Sequence, residues 1–90
     1  MMLEMTDAAS LDNPDFCNFL QANGYFSART LEDGTVAALF KLLFTTAICT
    51  NIGWVGYGNR FCFESESLAQ SELFKLSACD DQPSGWVASR

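Results

Sequence analysis

The sequence predicts a small α+β domain: a three- or four-stranded antiparallel sheet with two short helices packed on one face. Three stretches carry that expectation. "DNPDFCNFLQANGY" is punctuated like a helix at both ends, "TLEDGTV" contains a hairpin turn, and "RFCFE" alternates like a half-buried strand. A chain of 90 residues makes one domain, and at this size only about 60 to 65% of the unfolded surface is buried, so each large apolar side chain counts. Residues 1–90 are read as a single unit, with 1–11 as a lead-in and 80–90 as a tail packed on the core.

In the first helix, Asp12 or Asn13 serves as N-cap, Pro14 suits the first turn, and Asp15 favours the positive end of the helix dipole. Gly24 takes the left-handed position past the C-terminus. Phe16, Phe19 and Leu20 fall at i, i+3 and i+4 and share one face, which needs a sheet to cover it. Asp33-Gly34 is the strongest hairpin signal. A type I′ turn centred there sets Leu31 opposite Val36, Arg29 opposite Ala38, Ala28 opposite Leu39 and Ser27 opposite Phe40. The partner strand is apolar on both faces.

The run from Thr35 to Tyr57 is nearly free of charge. As one strand, Val36 to Ile52 would reach about 56 Å, against a diameter of roughly 30 Å for a globule of this size, so it must break or bend. Strands near 36–43 and 45–52 fit; a helix over 36–44 followed by a strand also fits, and the β-branched "TTAICT" favours strand for the second half. A membrane span is disfavoured by Lys41 and Asn51 inside the run and by the lack of flanking Lys or Arg clusters.

Beyond the turn "GWVGYGN", Phe61 and Phe63 face one side and Arg60, Cys62 and Glu64 the other. A second helix starts in "SESLAQSELFKLSA", with Ser67 and Gln70 as a capping box and Ala69, Leu73 and Leu76 at i, i+4 and i+7. Asp80, Asp81, Pro83 and Gly85 end it. The closing "GWVASR" is either a loop pinned by Trp86 or a short edge strand.

Composition narrows function by exclusion. A net charge of −6 with five Lys and Arg residues argues against direct nucleic-acid contact and allows a basic protein surface as partner, or equally serves to keep an apolar small chain in solution. The chain has no His, so a Ser or Cys nucleophile lacks its usual base, and "GWVGYG" lacks the Lys and Ser or Thr of a phosphate loop. The expectation is a non-enzyme without cofactor or metal. Cys17, Cys49, Cys62 and Cys79 are 32, 13 and 17 residues apart with no CxxC pair. With no secretory pattern at the N-terminus, they are expected to be reduced, buried hydrophobes. The candidate protein-binding residues are Glu64 and Glu66 at the start of the second helix, Asp80 and Asp81 beyond its end, and the two tryptophans, Trp54 and Trp86. The two acidic groups stand about 20 Å apart at ~1.5 Å per helical residue. Each acid is equally a solvated helix end, and each tryptophan equally a clip on the core.

The order of a "DG" hairpin, an "FTTAI" segment, a "Y..RFCF" strand, a helix with "A...L" and a closing "P.GW...R" resembles a group of small uncharacterised proteins of phages and other mobile elements. The resemblance covers roughly Asn23 to Arg90; Ser77 to Cys79 stand where an aromatic residue is expected before the proline loop. Small acidic proteins of such elements include anti-CRISPR and other anti-defence inhibitors. The resemblance therefore implies a stoichiometric inhibitor in the host cytoplasm, bound to a host protein or nucleoprotein complex with a basic surface. The alternative from a different class is a structural accessory that self-associates, as a homodimer or larger assembly, through an edge strand.

Overall fold

The computed structural model describes residues 8–89. Two helices, α1 (Pro14–Ala22) and α2 (Glu66–Lys75), accompany the strands β1 (Tyr25–Thr30), β2 (Val36–Lys41), β3 (Thr46–Thr50) and β4 (Asn59–Phe63), with a two-residue β5 (Ala88–Ser89). The sheet is an antiparallel meander in the order β1-β2-β3-β4-β5, each strand beside its neighbour in sequence. The α+β architecture with an antiparallel sheet and two helices is therefore the one the sequence predicts.

The helices do not share a face. Leu31, Ala37, Leu39, Ile48, Phe61 and Phe63 pack with Ala69, Leu73 and Leu76 of the α2 segment, whereas Val36, Ala38, Cys49 and Ile52 pack with Phe16 and Leu20 of α1. Successive residues of β2 alternate between the two clusters because side-chain direction reverses at each strand residue. A strand buried at Val36, Ala37, Ala38 and Leu39 alike needs cover on both sides. One helix per side supplies it.

Asn13 is the N-cap of α1, its Oδ1 accepting from the Asp15 N–H, with Pro14 in the first turn and Gly24 beyond the end at φ +90°. The lead-in is partly committed: Asn13 Nδ2 donates to the Ala8 carbonyl at 2.9 Å, and Leu11 packs against the α1-side cluster. Residues 1–7 of that lead-in, and Arg90, lie outside the described residues. The cap of α2 is Ser65, whose Oγ accepts from the Leu68 N–H at 3.3 Å, rather than Ser67; Ser65 is the last extended residue before the helix.

The β1–β2 turn corrects the expected register by one residue. The Leu31 N–H donates to the Thr35 carbonyl and the Gly34 N–H to the Leu31 carbonyl, so the loop is Glu32-Asp33-Gly34 with only Gly34 left-handed, at φ +87°. That is a three-residue turn of the type that ends in a glycine bulge, not a two-residue type I′ turn. Asp33 selects it, its Oδ1 accepting from both the N–H and the hydroxyl of Thr35. Thr30 then faces Val36 and Arg29 faces Ala37, which turns Arg29 towards α2. A bulge at Ser27 and Ala28, with Ser27 at φ +55°, shifts the register again and sets Phe26 opposite Leu39 and Tyr25 opposite Phe40.

The charge-free run resolves as two strands, with the Leu42 N–H bonded to the Thr45 carbonyl across the turn between them. No helix among the described residues is long and apolar enough to cross a membrane. The four cysteines are free: Cys49 and Cys62 are buried as expected, while Cys17 and Cys79 are partly exposed. The segment that precedes β5 lies on the core, with Trp86 against Phe61 and the Val87 N–H bonded to the Cys62 carbonyl.

Candidate functional site

The sequence-predicted acids fall at opposite ends of α2. Glu64 and Glu66 are exposed at its start, where Glu66 meets Lys41 at 3.3 Å. Both partners of that pair are solvated, so its contribution to stability is small. At the other end Asp80 is exposed, but Asp81 is structural: its Oδ2 accepts from the N–H groups of Ser77 at 2.8 Å and Ala78 at 3.1 Å. Asp33 ties the same loop to the β1–β2 turn by accepting from the Cys79 N–H, and the Thr35 hydroxyl, followed by this N–H, holds its carboxyl well below the usual carboxylate range. The Asp80-Asp81 pair is thus one surface carboxylate and one loop brace.

Glu72 belongs to this framework and carried no distinct sequence signal. Its carboxylate accepts from the Ser84 N–H at 3.0 Å and from Lys75 at 3.1 Å, and both bonds lower its pKa.

Both tryptophans are clips with an exposed edge. Trp54 lies 5.0 Å from the rings of Phe16 and Phe19, and Trp86 lies 5.7 Å from Phe61. More than a third of each remains in solvent.

Leu43 and Phe44 occupy the middle of the β2–β3 turn at 86% and 85% exposure. Turns are ordinarily built from Gly, Asn, Asp, Ser or Pro, so two large apolar residues there gain nothing from the fold. The signal was present in the sequence: a length limit that forces a break in the run, and no polar residue at "LLF" to make it. Thr46 pairs with Phe63, so this tip stands beside the end of β4 that leads into Glu64 and Glu66.

The α1 side of the sheet carries a groove of about 380 Å³. Phe19, Tyr25, Phe40 and Trp54 line it with aromatic rings, together with Asn23 and the Gly53–Gly56 loop. Gly24 brings backbone against this wall; a Cβ there would stand 3.3 Å from the Phe40 ring. On the same face, in the row Ala38–Cys49–Arg60, the Arg60 guanidinium lies 5.6 Å from the Tyr57 ring. Its Nε is buried without an acceptor. Of the described cations, Arg29 is bonded to two carbonyls, while Lys41 and Lys75 are paired with carboxylates; Arg60 has neither kind of partner among the described residues. Burial pushes the Tyr25 phenol up, with Arg60 pulling it back, and burial pushes the Cys49 thiol up to about 12.

Among the described residues no three or more His, Cys, Asp or Glu side chains gather as a metal site. No family profile, no curated protein and no solved structure matches this chain.

Proposed function

We propose that this protein is a non-enzymatic, stoichiometric inhibitor that occupies a basic surface of a host defence complex, working in the host cytoplasm. The observation that carries the reading is the Leu43-Phe44 tip beside Glu64 and Glu66 in a chain of net charge −6. An apolar tip supplies the desolvated anchor of an interface, and the flanking carboxylates steer it to Lys and Arg on the partner. The resemblance to mobile-element proteins directs the partner to a defence complex, where a nucleic-acid channel offers such a basic surface. Trp54, Trp86 and Asp80 are secondary contacts in this scheme.

Self-association through a sheet edge is the weaker alternative. The outer strand β1 is interrupted by the Ser27 bulge, and β5 pairs over only two residues, so neither edge offers a long flat row of backbone groups.

Pull-down from host lysate with quantified binding to the captured complex tests the proposal. Replacing Leu43 and Phe44 by Ser should shift the melting temperature by no more than about 4 to 8 °C, since exposed side chains contribute less than about 0.5 kcal/mol each. The same change should weaken capture by at least tenfold, since an interface anchor contributes about 2 kcal/mol or more. Reversing Glu64 and Glu66 to Lys should weaken it further at low salt than at high salt. Undiminished capture by the Ser variant at both salt concentrations would rule the tip out.

A further inference from the structure

We propose that the groove on the α1 side binds a small quaternary ammonium solute, its methylated head held among the aromatic rings. The groove carries this by itself, apart from the inhibitor reading, which uses the β2–β3 tip. Its volume of about 380 Å³ lies within the range of small-molecule sites, about 300 to 1,000 Å³. Phe19, Tyr25, Phe40 and Trp54 line it as two touching pairs of rings. Phe19 and Trp54 have centroids 5.0 Å apart and planes inclined at 57°, and Tyr25 and Phe40 stand at 5.4 Å and 70°. Each pair is a corner of steeply inclined rings, which suits a rounded group better than a flat one. Aromatic rings attract a cation laid against them, and groups of such rings are the usual receptor for quaternary ammonium.

Charge sets the sign of the ligand. Among the described residues the lining holds no group that is charged at neutral pH; Tyr25 is its one ionisable side chain, and burial pushes that phenol up. Phe19 and Asn23 place the groove at the C-terminal end of α1, the negative pole of the helix dipole, and no basic residue stands in the last turn. A net charge of −6 adds a field of the same sign. Arg60 lies on the same face but not in the lining, and its charge opposes a cation.

Hydrogen bonding selects among cations. Asn23 uses its side-chain nitrogen on the Phe19 carbonyl at 2.8 Å, and the Gly56 carbonyl already accepts from the Gly53 N–H at 2.7 Å. A lysine ammonium or an arginine guanidinium brings several N–H donors that so apolar a lining cannot all meet, and an unmet buried donor is costly. A quaternary ammonium has none. The backbone of β2 is already paired with β1 and β3, so a carrier peptide gains no strand to add to, and the ligand is a free solute.

Calorimetric titration of the full chain with choline, at ionic strength matched with sodium chloride, tests the assignment. The uncharged isostere with carbon in place of the nitrogen, a trimethyllysine peptide and phosphatidylcholine vesicles are run beside it. Choline should bind at micromolar concentration, the isostere about tenfold more weakly or worse, and neither the peptide nor the vesicles more tightly than choline. Trp54→Leu and Phe40→Leu should each weaken choline by more than they weaken the isostere. Arg60→Gln should bind choline at least as tightly as the unaltered chain, any gain fading as salt rises. The comparison of choline with its isostere uses the unaltered chain and so stands even where a variant does not fold. Absence of choline binding at millimolar concentration, equal binding of the isostere, tighter binding of the peptide or vesicles, undiminished binding by both aromatic variants, or weaker binding by Arg60→Gln would each overturn the proposal.

Discussion

The two faces of the sheet are covered in different ways. On one, α2 lies across β2, β3 and β4, and Arg29 Nη1 donates to the Leu73 and Leu76 carbonyls at 2.9 Å, tying the edge strand to the helix C-terminus. On the other, α1 sets Phe16 and Leu20 on Val36, Ala38, Cys49 and Ile52, Trp54 lies against Phe16 and Phe19, and a groove remains open, with an Arg60 Nε that has no acceptor among the described residues. Among the described residues each face has one arginine; on the first it satisfies orphan carbonyls of a helix end, and on the second its Nε has no acceptor. The contrast separates the two tasks of a small domain. The closed face holds the chain folded, and the open one has apolar and charged groups left over for other molecules.

If the closed face carries most of the stability, Leu73→Ala should cost about 2 to 5 kcal/mol in urea unfolding, because Leu73 is fully buried on the sheet-facing side of α2. A cost below about 1 kcal/mol would erase the distinction between the faces. The arginines sharpen it. Arg29→Gln should cost about 1.5 to 3 kcal/mol through two lost charged hydrogen bonds, whereas Arg60→Gln should cost no more than about 1 kcal/mol, the worth of its contact with the Tyr57 ring.

Acid should loosen the closed face's frame. Asp33 and Glu72 both have folded-state pKa values below their ordinary ones, the first chiefly through Thr35 and the second through the Ser84 N–H. Depressed carboxylates contribute stability above the unfolded pKa, about 4, and lose it as pH falls through the folded value. Unfolding measured from pH 6 to pH 2 should therefore show a decline that flattens in Asp33→Asn and Glu72→Gln; an unchanged slope in both would remove these groups from the frame. The smallest effect concerns the thiols. Reductant should leave the melting temperature unchanged, and at pH 8 Cys49, with its thiol pushed up to about 12, should resist alkylation until denaturant is added. Rapid labelling of Cys49 in the native state would mean that the floor beneath the groove is open.

Local chemistry was legible in the sequence where it is self-contained. The Asn13 cap, Pro14 and Gly24 bracket α1 as expected, and the break in the apolar run followed from its length. The hairpin was recognised but its register was not, because Asp33-Gly34 suits both a two-residue turn and the three-residue turn that Thr35 stabilises. The assignment of both helices to one face failed although "VAAL" already implied two-sided burial: a helix pattern identifies an apolar stripe but not the side of the sheet it meets. Of the candidate residues, Asp81 turned out to brace a loop and the tryptophans to pin the core, while Leu43, Phe44 and Arg60 were passed over. Exposure and missing partners are properties of the assembled chain, and Arg60 in a strand reads as any outward cation until its surroundings are known.

The uncrossed order of the sheet has a kinetic consequence. Every strand finds its partner in the next one along, so the loops to be closed first are short, and the entropy of closing them is correspondingly small. Hairpins form on a scale of about 1 to 10 μs, which lets β1 to β4 assemble step by step before α2 returns across some 44 residues to meet Arg29. The closed face should therefore form last in folding and its loss should come first in unfolding, so the lifetime of the native protein is set at the Arg29–α2 junction rather than in the sheet.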